Sequence, residues 1–232
     1  MIKFENIVNI RDLGGYKTSD EKFTKYKVFF RSGNTDKVSK EDIKKLLEIY
    51  DVKTVIDLRN SEELSEFPDK FSQISGVNYI NTPIEYNDCL EEFRSTDRGL
   101  IVLYEYILKE KKQVLKDVFD AIANVNDGSI LFHCTLGRDR TAMVAMLLLG
   151  LVGVSRDDII QNYTVSYELI KDLDIIKRDL IFYGERKTIT LPEYIEGAMD
   201  LIENDYGTFE NYLLSCNVSE TNLTKIKNRF LQ

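Results

Sequence analysis

Tryptophan is absent from the 232 residues, proline occurs only three times and histidine only once. The three cysteines, Cys89, Cys134 and Cys216, are odd in number and widely spaced. Such a set excludes a disulfide framework and shows no metal-ligand spacing, as expected of a reduced intracellular chain. So few prolines leave no room for a proline-rich linker, and no internal repeat or low-complexity tract breaks the sequence. Positive charge is also in deficit: 31 Lys and Arg against 39 Asp and Glu give a formal net charge of −8. That field repels nucleic acid and anionic membranes, so an anionic substrate must be captured by a local positive site. Long apolar runs are missing too. The longest, Ala142 to Val154, falls short of the ~20 residues a membrane helix needs and reads as a buried core helix. The opening "MIKFENIVNIRDLGG" carries polar and acidic residues where a secretory signal would be apolar. A soluble, cytoplasmic protein with no transmembrane segment is expected.

What is present is an alternation of β-rich runs and helical patterns. "YKVFFRSG", "VKTVIDLR", "GVNYINTPI" and "GSILFHC" read as strands. Between them, "VSKEDIKKLLEIYD" reads as a helix with Ser39 at its N-cap, and "SEELSEFPD" as a short helix ended by Pro68. Apolar residues from Ile101 to Ile122 follow one roughly helical period from about Gly99 to Asn124. From Ser155 onward the pattern is mostly helical, with Ser155 capping one helix and Pro192 and Gly207 bounding another. The expected fold is α/β: a mostly parallel central sheet flanked by helices, with a helical C-terminal part, in one domain over 1–232. Residues 155–232 include a possible lid.

One stretch concentrates chemistry. "ILFHCTLGRDRTAM" (130–143) sets the only histidine beside Cys134, and puts Arg138, Asp139 and Arg140 between two apolar runs. Unpaired charges in such a place are costly, and a bound anion would stabilise them. The C-x5-R spacing is weak evidence alone, but here the cysteine ends a strand, Gly137 lies in the loop and Thr141 opens a helix. A loop feeding a helix N-terminus can aim several N–H groups at a tetrahedral dianion. Gly137 allows the turn, and Arg140 can grip two equatorial oxygens with its planar fork. The same surroundings favour the ionised thiolate of Cys134. A thiolate beneath a clamped phosphorus is poised for in-line attack and a phosphocysteine intermediate that water hydrolyses. His133 could orient the loop through backbone, Thr141 could hydrogen-bond the sulfur, and Asp139 could be general acid and then base. No cofactor is called for, and no metal-ligand cluster is visible.

"HCTLGRDRT" resembles the signature loop of the cysteine-dependent protein tyrosine phosphatases, in particular a bacterial branch reading H-C-x-x-G-K-D-R-T-G. "NIRDLGGY", "FFRSGN", "VIDLRNSEE", "GVSRDDIIQNY" and "YGTFENYLLSCNVSETNL" resemble further blocks of that branch in the same order. The resemblance implies Cys134 as nucleophile, Arg140 as phosphate-binding arginine and Asp139 as an acid inside the loop. Thr135, Leu136, Gly137, Arg138 and Thr141 would surround the phosphate, with His133 and Asp57 in support. Arg138 stands where the branch has lysine, and Ala142 where it has glycine; Arg138 could grip a second phosphate or a lipid headgroup. Asp97 and Asp88, upstream, are alternative acids. Arg11 and Asp12 could form a buried ion pair bracing a turn. Arg31, Asp57 and Arg59 end strands, where active-site edges of α/β sheets lie, or they pair among themselves. The implied partners are a phosphotyrosine protein or a phosphoinositide, with inorganic phosphate released. A phosphate-binding module without catalysis and a thiol redox enzyme are the rival readings.

Overall fold

The computed structural model describes residues 4–232. Five strands form one sheet: β1 (Arg11–Asp12), β2 (Phe29–Ser32), β3 (Val52–Asp57), β4 (Asn78–Asn81) and β5 (Ser129–His133), in the order β1-β2-β5-β3-β4. All pairings are parallel except that of β1 with β2. The helices are α1 (Lys40–Lys44), α2 (Ser61–Glu66), α3 (Leu90–Ser95), α4 (Ile101–Glu110), α5 (Lys112–Ala123) and α6 (Arg140–Leu151). They continue as α7 (Arg156–Ile170), α8 (Asp174–Tyr183), α9 (Pro192–Tyr206), α10 (Phe209–Ser215) and α11 (Glu220–Phe230). The architecture is the expected α/β one with a helical C-terminal part.

The two-residue period of the strands explains why both faces of the sheet are covered. Phe29, Ile56, Ile130 and Phe132 point into a large core with α4–α6 and α9–α11. Their neighbours Phe30, Val55 and Leu131 point the other way, into a smaller core with Ile10, Leu46 and Phe71. Helix α6 runs through the large core and is buried at every position except Gly150, as its apolar sequence demands.

Local capping follows the sequence closely. Ser39, Ser155 and Ser219 each accept a bond from the backbone three residues on, satisfying a donor that the helix start leaves free. Asn60 and Glu63 form a reciprocal capping box on α2. Two expectations need correcting. The single helical stretch over 99–124 is two helices, broken at Lys111 (φ −107°, ψ 27°); an apolar period carries through a break that keeps the same face buried. The helix over 39–50 is α-helical only to Lys44, then widens into a π-helical turn over Lys45–Ile49.

Register places the site. Ser32 and Asp57 both pair with His133, so β2, β3 and β5 end side by side at their C-terminal edge. Beyond that edge the chain leaves β5 as the loop 134–139 and enters α6. A crevice outside the carboxyl ends of parallel strands is where α/β proteins bind ligands.

Candidate active site

The loop after β5 is held by its carbonyls. Thr135 O accepts from Asn34 N (2.9 Å), Leu136 O from Asn9 Nδ2 (2.9 Å) and Gly137 O from the Arg31 guanidinium (2.7 Å). In a trans peptide the next N–H points opposite to the carbonyl, so the amides of Leu136, Gly137 and Arg138 face away from these anchors. No backbone N–H from residue 135 to residue 139 donates to an acceptor among the described residues. These amides are free to bind an anion. Gly137 has φ +66°, and a Cβ there would sit 2.4 Å from Ser32 O. The turn therefore needs glycine.

Cys134 lies at the bottom of a pocket of about 200 Å³, lined also by Thr135, Leu136, Arg138, Asp139, Arg140, Glu63, Tyr86, Ile175 and Asp179. Cys134 is 3% exposed, and Ile175 and Asp179 of α8 form part of the pocket wall. Larger clefts exist, one of about 510 Å³ near Gly150–Arg156, but it contains none of the loop residues.

Arg140 is held by Glu63, Nη2 to Oε1 at 2.6 Å and Nη1 to Oε2 at 2.7 Å, while Glu63 also accepts from the Thr135 hydroxyl. Burial opposes the charged Glu63 carboxylate, yet the Arg140 fork outweighs it and holds the group down at about 2. Burial likewise opposes the Arg140 guanidinium, and Glu63 and Cys134 more than offset it, so Arg140 stays charged. The Tyr86 ring faces the guanidinium at 5.5 Å from its centroid. Glu63 was not among the residues read from the sequence. Its "NSEE" pattern announces a helix cap, and the cap is also what brings its carboxylate to Arg140.

Below the loop, His133 is fully buried. Its Nδ1 lies 3.3 Å from Cys134 O, as expected for an orienting role, and its Nε2 lies 3.0 Å from Asp69 and 3.6 Å from Asp57. Burial works against the imidazolium, but the two carboxylates prevail and His133 is raised above its ordinary value. Asp57, Asp69 and His133 are close enough to bracket a metal ion. The Arg59 guanidinium already fills that role, 2.7 Å from Asp57 and 3.5 Å from Asp69. Asp57 also accepts from the Tyr79 hydroxyl at 2.8 Å. Arg31 reaches the loop and Asn162, and burial pulls it down to about 10 against the opposing influence of Cys134.

Four expectations change. Arg138, expected to be able to grip a second phosphate or a lipid headgroup, is 7% exposed and engaged within the chain, with Nε 3.0 Å from Asp139 and Nη1 donating to Thr188 O at 2.8 Å. The Thr141 hydroxyl is buried without a hydrogen-bond partner and does not bond the sulfur. Asp88 is 79% exposed at its side chain, and neither Asp88 nor Asp97 lines the pocket, whereas Asp139 does. Arg11 and Asp12 do not pair; Arg11 bonds Asn9, Asn162 and Ser166, while Asp12 accepts from Gly14 N and Lys27 N. Residues missed by the sequence reading are Tyr104 and Tyr163: the Tyr104 hydroxyl donates to Asp139 Oδ1 (2.9 Å) and lies 2.7 Å from that of Tyr163. Both are buried.

No helix among the described residues is long and apolar enough to cross a membrane. A tyrosine-protein phosphatase of Nostoc commune is 32% identical over 198 residues, covering 78% of this chain and 67% of its own. The triple specificity protein phosphatase PtpB of Mycobacterium tuberculosis is 28% identical over 116 residues, 42% of each chain. Among solved structures, the core catalytic domain of the PP-IP phosphatase SIW14 from S. cerevisiae overlays with a TM-score of 0.43 at 17% identity, covering 78% of this chain and 94% of its own. The family model described as the tyrosine phosphatase family matches residues 2–232. With its whole described length inside that match, a cysteine over a cup of free amides and an arginine beside it, the chain belongs to the tyrosine phosphatase family.

Proposed function

We propose that residues 1–232 act as one phosphatase domain that hydrolyses phosphotyrosine through a phosphocysteine intermediate. The observation that carries this is the convergence of Cys134, Arg140 and the unpartnered loop amides on one pocket. The phosphate sits in the amide cup with Arg140 on its equatorial oxygens. Cys134 Sγ attacks phosphorus as the thiolate, forming the S–P bond while the P–O bond to the tyrosyl oxygen breaks. That oxygen takes a proton from Asp139. Water then attacks phosphorus, gives a proton back to Asp139, and leaves inorganic phosphate and the thiolate. Arg138 Nε and the Tyr104 hydroxyl both bond Asp139 and hold its carboxyl in place beside the loop.

Thr135, Leu136, Gly137 and Arg138 act through their backbone, His133 and Asp57 by bracing the loop from beneath. Neither Cys89 nor Cys216 lines the pocket, and burial pushes the Cys89 thiol up to about 11, so a resolving thiol for redox chemistry is not at hand. A phosphoinositide phosphatase on the same scaffold is the second reading, as the resemblance of the signature loop implies. The test is steady-state hydrolysis of phosphotyrosine peptides and of aryl phosphates with graded leaving groups. Cys134→Ser should abolish turnover. Asp139→Asn should lose most on the poorest leaving groups, roughly 10²–10⁴-fold, and Asp179→Asn should leave the leaving-group dependence unchanged. Turnover by clean Cys134→Ser protein would overturn the mechanism.

A further inference from the structure

The mouth of the pocket has little free positive charge. Arg140 carries Glu63 on both nitrogens, and Arg138 carries Asp139. Each loop arginine is thus matched by a carboxylate before any substrate arrives. Helix α8 then adds Asp179 to the wall. Its ion-pair contact is Arg178 Nε at 3.9 Å, and that arginine is 62% exposed and lies outside the lining. An adjoining smaller pocket of about 120 Å³ shares Glu63, Tyr86 and Arg140, and brings in exposed Glu85. The cations of the turn after α8 are engaged elsewhere, Arg186 with Glu193 and Lys187 with Arg94 O, and on α8 itself Lys177 lies 3.7 Å from Asp174.

A phosphate bound to Arg140 and the loop amides therefore has one carboxylate, Asp179, in the wall of its own pocket and a second, Glu85, in the adjoining pocket that shares Arg140. We infer that Asp179 and Glu85 make the site selective for phosphotyrosine flanked by basic side chains, and set it against acidic neighbours and against ligands carrying a second phosphate. This rests on the phosphatase reading above and deepens it by naming the substrate class. Charged groups at a rim act by attraction and repulsion across water, so they discriminate between partners more than they add raw affinity.

The experiment compares three phosphotyrosine peptides that differ only in having Lys, Ala or Glu on both sides of the phosphotyrosine, with phosphatidylinositol 3,4,5-trisphosphate as a fourth substrate. Each protein is scored by its own ratio of kcat/KM for the Lys peptide over the Glu peptide. At low salt the wild-type ratio should be about fivefold to tenfold, the scale of two exposed charge pairs, and should shrink as salt is added. The double variant Asp179→Asn with Glu85→Gln should bring the ratio near one, and Asp179→Lys should invert it. Binding of the same peptides to the Cys134→Ser protein, read by fluorescence anisotropy, should give the same order without turnover. A wild-type ratio of one or below, a ratio the double variant does not move, or the trisphosphate outranking every peptide overturns the inference. Lack of hydrolysis of all four substrates with the binding order intact would instead overturn the phosphatase reading and leave the selectivity standing.

Discussion

At the scale of single residues, the site is a set of matched charges whose pairing can be read from pH. Glu63 is held at about 2 when folded, below the ~4.3 of an unperturbed glutamate. Its contribution to stability is therefore complete above about pH 4.5 and is lost as the pH falls toward 2. Partial exposure to solvent keeps that contribution modest. Glu63→Gln should cost about 1–2 kcal/mol in urea unfolding at pH 7, with the difference from wild type shrinking by pH 3; an equal cost at both values would refute the pairing. His133 has the opposite sign. Its folded value is raised by Asp57 and Asp69 in spite of burial, so its stabilisation is complete below about pH 6.5 and fades as the pH rises through the folded value. As the only histidine, it gives one titrating imidazole in an NMR spectrum. The midpoint should lie above ~6.5, and a lower one would show that burial wins over the carboxylates.

At the scale of elements, the catalytic loop and α8 are tied together by one arginine. Arg138 bridges Asp139 in the loop and the carbonyl of Thr188, just beyond α8, while α8 lends Ile175 and Asp179 to the pocket wall. A planar guanidinium can serve two partners in different directions, and a lysine, with its donors on one nitrogen, cannot do so as well. Arg138→Lys should therefore keep the charge yet loosen the segment around Thr188. Hydrogen exchange of amides in 176–190 should speed up by about tenfold, the equivalent of one charged hydrogen bond of roughly 1.5 kcal/mol, while the core amides of α6 stay protected. Unchanged exchange in 176–190 would show that Arg138 is not the latch. The elements themselves were largely legible. Strand alternation, the serine caps and Pro192 with Gly207 are local signals, and local signals survive folding. The break at Lys111 was not, because α4 and α5 bury the same kind of apolar face on both sides of it. Helix α8 was not delimited either: Ile181 and Phe182 are exposed on it, which blurs the periodicity that marks an amphipathic helix.

At the scale of the molecule, what the sequence showed and what it concealed divide by contiguity. Cys134, Gly137, Asp139 and Arg140 lie in one heptapeptide, and their spacing alone carries the anion cup. Glu63, Tyr86 and Asp179 come from three separate parts of the chain that only the fold brings to one pocket, and Tyr104, from a fourth, lies 35 residues before Asp139 and bonds it. Arg138 was misjudged for the same reason, since its partner Thr188 lies 50 residues away. The net charge of −8 acts at this largest scale and sets a final expectation. A small dianion such as p-nitrophenyl phosphate approaches against the field of the whole protein, and salt screens that field at distances beyond about 10 Å. Once inside, it meets the loop amides and the buried Arg140, where salt screens far less. Added salt should therefore remove the repulsion and spare the attraction. The kcat/KM for p-nitrophenyl phosphate should rise by about twofold between roughly 0.02 and 0.2 M ionic strength, whereas that for a Lys-flanked peptide should fall. A parallel fall for both would mean that the approach is steered by positive charge, and that local capture against an opposing field is the wrong description of this site.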